Sequence, residues 1–142
     1  MALILIVAAA VAGTAVSVYL TASHYQHLPL ACTTSSFLDC NAVTTSGYSL
    51  LPGTGIPVSL LGIGWFAVSG GLGGLALRRP GRPVWGRLLA AWGFAGTAFV
   101  LYLVYAELVV IHRICEWCTA VHLLVVATLL AALTRVTPAA RE

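Results

Sequence analysis

The sequence predicts an all-α integral membrane protein whose 142 residues form a single domain, a bundle of four transmembrane helices. Hydrophobic residues make up 60% of the chain and charged residues only 8%, a balance outside the range of soluble globular domains. Four apolar stretches reach the roughly 20 residues that a helix needs to cross the hydrocarbon core. Because these stretches are continuously apolar and do not alternate, they are not the strands of a β-barrel.

The four spans are predicted at about residues 2–22, 57–77, 86–111 and 118–135. The first, which begins MALILIVAAAV, could instead be a secretory signal peptide because it is N-terminal and ends in small residues. No Lys or Arg precedes its apolar run, however, and the run is longer than a signal core, so a membrane helix is favoured. The second span contains GIGWFAVSGGLGG, whose glycines let membrane helices approach one another closely.

The arginines indicate the orientation of the spans, since the chain has no lysine. Six of the seven basic residues lie on one side of this topology: Arg78, Arg79, Arg82, Arg87, Arg135 and Arg141. That side is expected to be cytoplasmic, so the connections at about residues 23–56 and 112–117 face outward. The net charge of +3 therefore reflects membrane topology, and no nucleic-acid partner is expected.

The outward connection between the first two spans, at about residues 23–56, is longer than most loops of compact proteins, and such loops are usually functional or disordered. Its composition favours order, because several residues would be unusual in a solvated linker: Cys32, Phe37, Leu38, Cys40, Tyr48, Leu50 and Leu51. We expect it to form a large ordered periplasmic loop that caps the outer end of the bundle.

All four cysteines fall on the outward side, which in a bacterium is the periplasm, where disulfides form and persist. Four cysteines allow three pairings, and the short spacings C-x7-C and C-x2-C favour Cys32 with Cys40 and Cys115 with Cys118. A C-x2-C bridge closes a very small loop and stabilises little. Exposed N–H groups at a helix start instead favour a reactive thiolate. The pattern therefore favours dithiol–disulfide exchange over two structural disulfides.

Two ionisable residues lie near the C-x2-C pair within predicted spans. If the fourth helix begins near Cys115, then Cys115, Cys118 and His122 lie on one helix face, with His122 below Cys118 in the membrane. There His122 could donate a hydrogen bond to a bound carbonyl, relay a proton or bond another helix. Glu107 lies about 7–8 Å inside the outer boundary of the third span, where it could make a structural hydrogen bond or handle protons near a ligand.

Zinc or copper binding by Cys115, Cys118 and His122 is a further alternative, because thiolate and imidazole ligands suit both metals. A structural zinc site usually draws on a second pair with similar short spacing, and C-x7-C in a loop is a poor match. No metal site is therefore predicted.

Two segments resemble the bacterial homologues of vitamin K epoxide reductase: CNAVTTSGYSLLPGTGIPVSLLG after the loop cysteines, and LVVIHRICEWCTAVH at the last helix. The resemblance covers nearly the whole chain, and the order and spacing of the cysteines are specific to it. It implies a multi-pass protein of the bacterial inner (cell) membrane, with its active site facing the periplasm or cell exterior. The implied activity is oxidation of thiols with a quinone, ubiquinone or menaquinone, as electron acceptor.

The resemblance also implies a role for each cysteine. Cys32 would be attacked by a thiol from outside, Cys40 would pass electrons to Cys115, and Cys118 would face the quinone. Further residues are candidates for contact with the quinone: Ser46, which matches a serine of the family's loop, His122 and Glu107. His122 stands where the animal enzymes carry a tyrosine and Val58 where they carry an asparagine, and both departures are typical of bacterial members.

The expected thiol donor is a separate thioredoxin-fold protein of the DsbA type, because no thioredoxin-like domain follows Glu142. The overall function would be to reoxidise that protein and so support disulfide bond formation. DsbB-type quinone reductases also have four spans and two cysteine pairs, but in the reverse order. From another class, the chain could be a non-enzymatic metal-binding or disulfide-stapled structural membrane protein.

Overall fold

A computed structural model describes residues 1–136, and its regular structure is almost entirely helical. The elements in chain order are α1 (Ala2–Gln26), α2 (Cys40–Thr44), a 3-10 turn (Gly47–Ser49), α3 (Val58–Arg78), α4 (Pro83–Tyr105) and α5 (Glu116–Val136). A π-helical segment, Ala106–Ile111, continues α4 without a break. Within residues 1–136, four helical stretches are long and apolar enough to cross a membrane: Ala2–Gln26, Val58–Arg78, Pro83–Ile111 and Glu116–Val136. The predicted all-α fold with four helices long enough to span a membrane is confirmed.

The long helices surround a shared interior in the order α3, α1, α5, α4, and of the four neighbouring pairs α3 and α4 pack least extensively. The buried side chains of Ile6, Leu89 and Ala132 form one end of the core. Phe66 lies fully buried farther along the bundle. A Cβ atom on Gly13 would overlap the Phe66 ring, so the absence of a side chain lets α1 and α3 pack closely there.

The helix ends differ from the predicted spans by several residues because polar residues extend the helices beyond their apolar stretches. α1 continues to Gln26 and ends at His27, whose left-handed φ of 52° is typical of a helix C-terminus. α4 begins at Pro83, in the first helical turn, where proline is favoured because its missing N–H has no partner to lose. Gly81, with a φ of 90°, turns the chain between α3 and α4.

The two ends of the bundle differ in chemistry. One end carries Arg79, Arg82 and Arg135, which line a common cavity, whereas the opposite end carries the cysteines, which pack in a common cluster. Arg141, which the orientation argument also counts, lies outside the described residues.

The connection between α1 and α3 contains α2, the 3-10 turn and a tight turn closed by an isolated antiparallel bridge between Leu50 and Pro57. Within this turn the Leu51 N–H donates to the Ile56 carbonyl at 2.8 Å. A second bridge joins Leu38, in parallel, to Ile114 in the connection between α4 and α5. The connection between α1 and α3 is therefore hydrogen-bonded to the segment that carries the C-x2-C pair.

Candidate active site

Backbone hydrogen bonds bring the loop cysteines to the C-x2-C pair. The Ile114 N–H donates to the Phe37 carbonyl at 2.8 Å, and the Asp39 N–H donates to the Ile114 carbonyl at 3.1 Å. Cys40 follows Asp39 directly, and Cys115 follows Ile114 directly. These backbone hydrogen bonds therefore hold Cys40 of the loop pair close to Cys115 of the C-x2-C pair. Both side chains are almost fully buried in one apolar cluster. Cys40 and Cys115 are therefore the members of the two pairs that lie together in the buried cluster.

A second anchor holds the segment that leads to Cys32. The Trp117 indole N–H donates to the Ala31 carbonyl at 2.8 Å, and the Tyr19 hydroxyl accepts a hydrogen bond from the Ala31 N–H at 3.1 Å. The two rings also pack edge to face, with centroids 5.1 Å apart. Cys32 is only partly buried, next to this anchor, and is joined to Cys40 by a disulfide.

Cys115 and Cys118 are free thiols at the start of α5. Cys115 immediately precedes the helix, and its carbonyl accepts the Thr119 N–H at 2.9 Å. Its sulfur accepts the Cys118 N–H at 3.2 Å, as the side chain of an N-cap residue does. Hydrogen bonding from Cys118, chiefly from its thiol, lowers the pKa of the Cys115 thiol, although burial and the nearby Glu107 carboxylate oppose this effect.

A cavity of about 570 Å³ lies between the four long helices, below the connection between α1 and α3. Its lining is mainly apolar and includes five residues singled out by the sequence: Ser46, Val58, Glu107, Cys118 and His122. Cys115 is fully buried and is not part of the lining. The C-x2-C pair therefore spans two environments, because Cys115 lies against the loop cysteines and Cys118 lies at the cavity.

Glu107 lies in the π-helical segment at the end of α4, and its side chain is 5% exposed. Its carboxylate accepts a long hydrogen bond, 3.4 Å, from the Cys115 N–H, and its backbone carbonyl accepts the Arg113 N–H at 3.1 Å. π-helical turns are often found at functional sites. Here the turn sets a carboxylate between the C-x2-C pair and the cavity.

His122 lies one turn after Cys118 on α5 and is 7% exposed. Within the described residues its imidazole makes no hydrogen bond to another helix. If His122 served only to form a hydrogen bond between helices, it would need a partner side chain or carbonyl, and residues 1–136 provide none. Its ring nitrogens remain available to a molecule in the cavity.

The cavity also contains polar groups that the sequence analysis did not single out. The Ser17 hydroxyl and the Trp65 indole N–H are buried without a hydrogen-bond partner among the described residues, and both residues line the cavity. Buried polar groups usually find partners, so these two indicate space for a ligand with acceptor atoms. Serine and tryptophan are both common in membrane helices, so no sequence pattern marks Ser17 and Trp65 as site residues.

Two observations on the described part of the chain bear on the metal-binding and structural-disulfide alternatives. Among residues 1–136, no group of three or more His, Cys, Asp or Glu residues is arranged to hold a metal ion. Cys115 and Cys118 are thiols and do not form a second structural disulfide.

One comparison with known proteins identifies relatives of the whole bundle. The model of a family described as the vitamin K epoxide reductase family matches residues 4–133, from the first turns of α1 almost to the end of α5. No individual curated protein matches the chain closely enough to be counted as a relative.

Proposed function

This chain belongs to the vitamin K epoxide reductase family, and we propose that it passes electrons from a thioredoxin-fold protein of the DsbA type to a membrane quinone. Family membership implies a membrane oxidoreductase that acts on thiols. The observation that most supports the finer proposal is that all four cysteines meet at one end of the bundle, with Cys118 lining the cavity. By oxidising its partner the protein supports disulfide bond formation.

The first exchange takes place at the loop pair. A partner thiolate attacks the Cys32 sulfur of the Cys32–Cys40 disulfide, forms a mixed disulfide and releases the Cys40 thiolate. The second partner thiol then attacks the mixed disulfide, so the partner leaves oxidised and both loop cysteines are thiols. Cys32 is the more exposed member of the loop pair, and Cys40 is almost fully buried. Access from water therefore favours attack at Cys32.

The second exchange moves the electron pair to α5. The Cys40 thiolate attacks the Cys115 sulfur of a Cys115–Cys118 disulfide and releases Cys118, and Cys32 then attacks Cys40 to re-form the loop disulfide. The products are a Cys32–Cys40 disulfide with free thiols at Cys115 and Cys118, the state described above. The lowered pKa of Cys115 supports the second half of this exchange, because Cys115 is the leaving group when Cys32 attacks Cys40 and a thiol of lower pKa leaves faster.

The cavity fits a quinone ring, of ubiquinone or menaquinone. Its volume of about 570 Å³ lies within the usual range for small-molecule sites, and its few polar groups are surrounded by apolar side chains. A quinone bound there would take up two electrons and two protons. Cys118 would present its sulfur to the ring, and the His122 imidazole and the Ser46 hydroxyl would orient the ring by hydrogen bonds. Glu107 would hold or move a proton between the C-x2-C pair and the cavity.

Access from the lipid is consistent with the packing of the helices. Of the four pairs of neighbouring long helices, α3 and α4 pack least, and residues of both line the cavity, among them Val68 and Phe99. An apolar quinone could therefore enter laterally between them from the bilayer. The arginine-rich end, which includes Arg78 and Arg87, would face the cytoplasm, and the cysteine end would face the periplasm or cell exterior of a bacterial inner membrane.

The proposal is tested by mixing the detergent-purified protein with a reduced DsbA-type protein and a quinone, and following quinone absorbance. We expect one quinone to be reduced for each partner dithiol oxidised, since both reactions transfer two electrons. Pretreatment of the protein with a metal chelator should leave the rate unchanged. Failure to reduce quinone would overturn the proposal, and a loss of activity on chelation would favour the metal-binding alternative.

A further inference from the structure

The end of the bundle opposite the cysteines has a separate cavity, of about 210 Å³. Three arginines from three segments line it: Arg79 directly follows α3, Arg82 directly precedes α4, and Arg135 lies in the last turn of α5. The redox chemistry proposed above makes no use of this cavity.

Membrane orientation requires arginines in this region but does not require them to converge. The orientation rule depends on how many basic residues flank the spans on one side, and Arg78 and Arg87 satisfy it without lining the cavity. Arg79, Arg82 and Arg135, by contrast, share one concave site. The residues that line it include no Asp or Glu, so within the described chain the cavity lacks a carboxylate to balance these charges.

An unpartnered donor in the same cavity is an independent indication of a ligand. Trp85 lines the cavity, and its indole N–H is buried without a hydrogen-bond partner among the described residues. The side chains of these lining residues carry guanidinium groups and an indole N–H, which donate hydrogen bonds and do not accept them. The complementary ligand is a compact anion with several acceptor oxygens.

We propose that this cavity binds the phosphate of an anionic phospholipid headgroup. Guanidinium groups bind phosphate oxygens through paired, charge-assisted hydrogen bonds, and the indole N–H of Trp85 can donate one more. The cavity lies where the spans end, the depth at which headgroup phosphates occur. Basic pockets between membrane helices on the cytoplasmic side are suited to such headgroups. A lipid held there would join the ends of α3, α4 and α5 without touching the cysteines.

Two charge-matched variants of the full chain test this proposal. Arg82→Gln with Arg135→Gln removes two arginines that line the cavity, and Arg78→Gln with Arg87→Gln removes two from the same end that do not. Each purified protein is titrated with phosphatidylglycerol, with phosphatidylcholine or with inorganic phosphate, and bound molecules are counted by native mass spectrometry. We expect the affinity for phosphatidylglycerol to fall at least about tenfold further in the cavity variant than in its control. Trp85→Phe, which keeps an aromatic ring but removes the N–H donor, should also weaken binding.

Several results would overturn the proposal. Equal losses in the two double variants would show that only net charge matters. Equal retention of phosphatidylcholine and phosphatidylglycerol would exclude recognition of an anionic headgroup. Tight binding of inorganic phosphate that phosphatidylglycerol fails to displace would identify a free anion as the ligand. Quinone reduction is not the readout, so these results are independent of the proposed redox function.

Discussion

The variant Cys118→Ala is expected to lose quinone reduction by about 100-fold or more, because it removes the sulfur that faces the cavity. Without Cys118 the second disulfide cannot form, and an electron pair that reaches Cys115 has no thiol route to the cavity. The measurement is the rate of quinone absorbance change with the reduced partner in excess. The Cys32–Cys40 disulfide is in a separate pair, so it should still form in this variant.

Thr119→Ala is the matched control for this prediction. Thr119 follows Cys118 directly, its hydroxyl donates to the Cys115 carbonyl at 2.9 Å, and it does not line the cavity. Its loss should cost little activity. A normal rate for Cys118→Ala, or an equal loss in Thr119→Ala, would contradict the assignment of Cys118 as the cysteine that reduces quinone.

Replacing Cys32 with serine is expected to abolish turnover with one reductant and to preserve it with another. Turnover with the thioredoxin-fold protein should stop, since that partner enters the relay by attacking Cys32. A small dithiol should still sustain quinone reduction, because Cys118 lines a cavity that a small molecule can enter and the Cys115–Cys118 disulfide is intact. The measurement compares quinone reduction with each reductant at equal dithiol concentration.

Thr33→Ser, an exposed position beside Cys32, provides the control for the loop. It should behave like the unmodified protein with both reductants. If Cys32→Ser lost activity equally with the protein partner and with the small dithiol, Cys32 would not be the entry point of the relay.

The helical bundle and the cysteine pairs follow from short-range features of the sequence. Each membrane helix is encoded by a continuous apolar stretch, and the short C-x7-C spacing favours the Cys32–Cys40 disulfide, which the structure contains. The ends of the helices are less predictable. Hydropathy marks where the apolar core ends, while α1 continues through polar residues to Gln26.

The geometry of the site depends on contacts between residues far apart in the chain. The hydrogen bond from the Trp117 indole N–H to the Ala31 carbonyl joins positions 86 residues apart, and no local sequence pattern predicts it. The π-helical segment that carries Glu107 is equally hidden, because the apolar residues from Leu108 to Ile111 are typical of any membrane helix. Spacing predicts the Cys32–Cys40 disulfide, which is present, and a Cys115–Cys118 pair, which the structure shows as two thiols. Tertiary structure determines which members of the two pairs lie close together.

The arginines illustrate the same limit. Their distribution along the sequence indicates orientation, a property that depends only on which connection carries them. Arg82 and Arg135 line one cavity, whereas Arg87 does not. This difference depends on the directions of α4 and α5, which the sequence pattern does not determine.

The central claim is that electrons pass between the two cysteine pairs through Cys40 and Cys115, and disulfide mapping tests it most directly. Three double variants leave one cysteine from each pair: Cys32→Ser with Cys118→Ser, Cys40→Ser with Cys118→Ser, and Cys32→Ser with Cys115→Ser. Each is treated with a mild thiol oxidant and its disulfides are mapped by peptide mass spectrometry. The account predicts rapid, nearly complete linkage of Cys40 to Cys115 in the first variant and much slower linkage in the other two. Faster linkage of Cys32 to Cys115, or of Cys40 to Cys118, would contradict it.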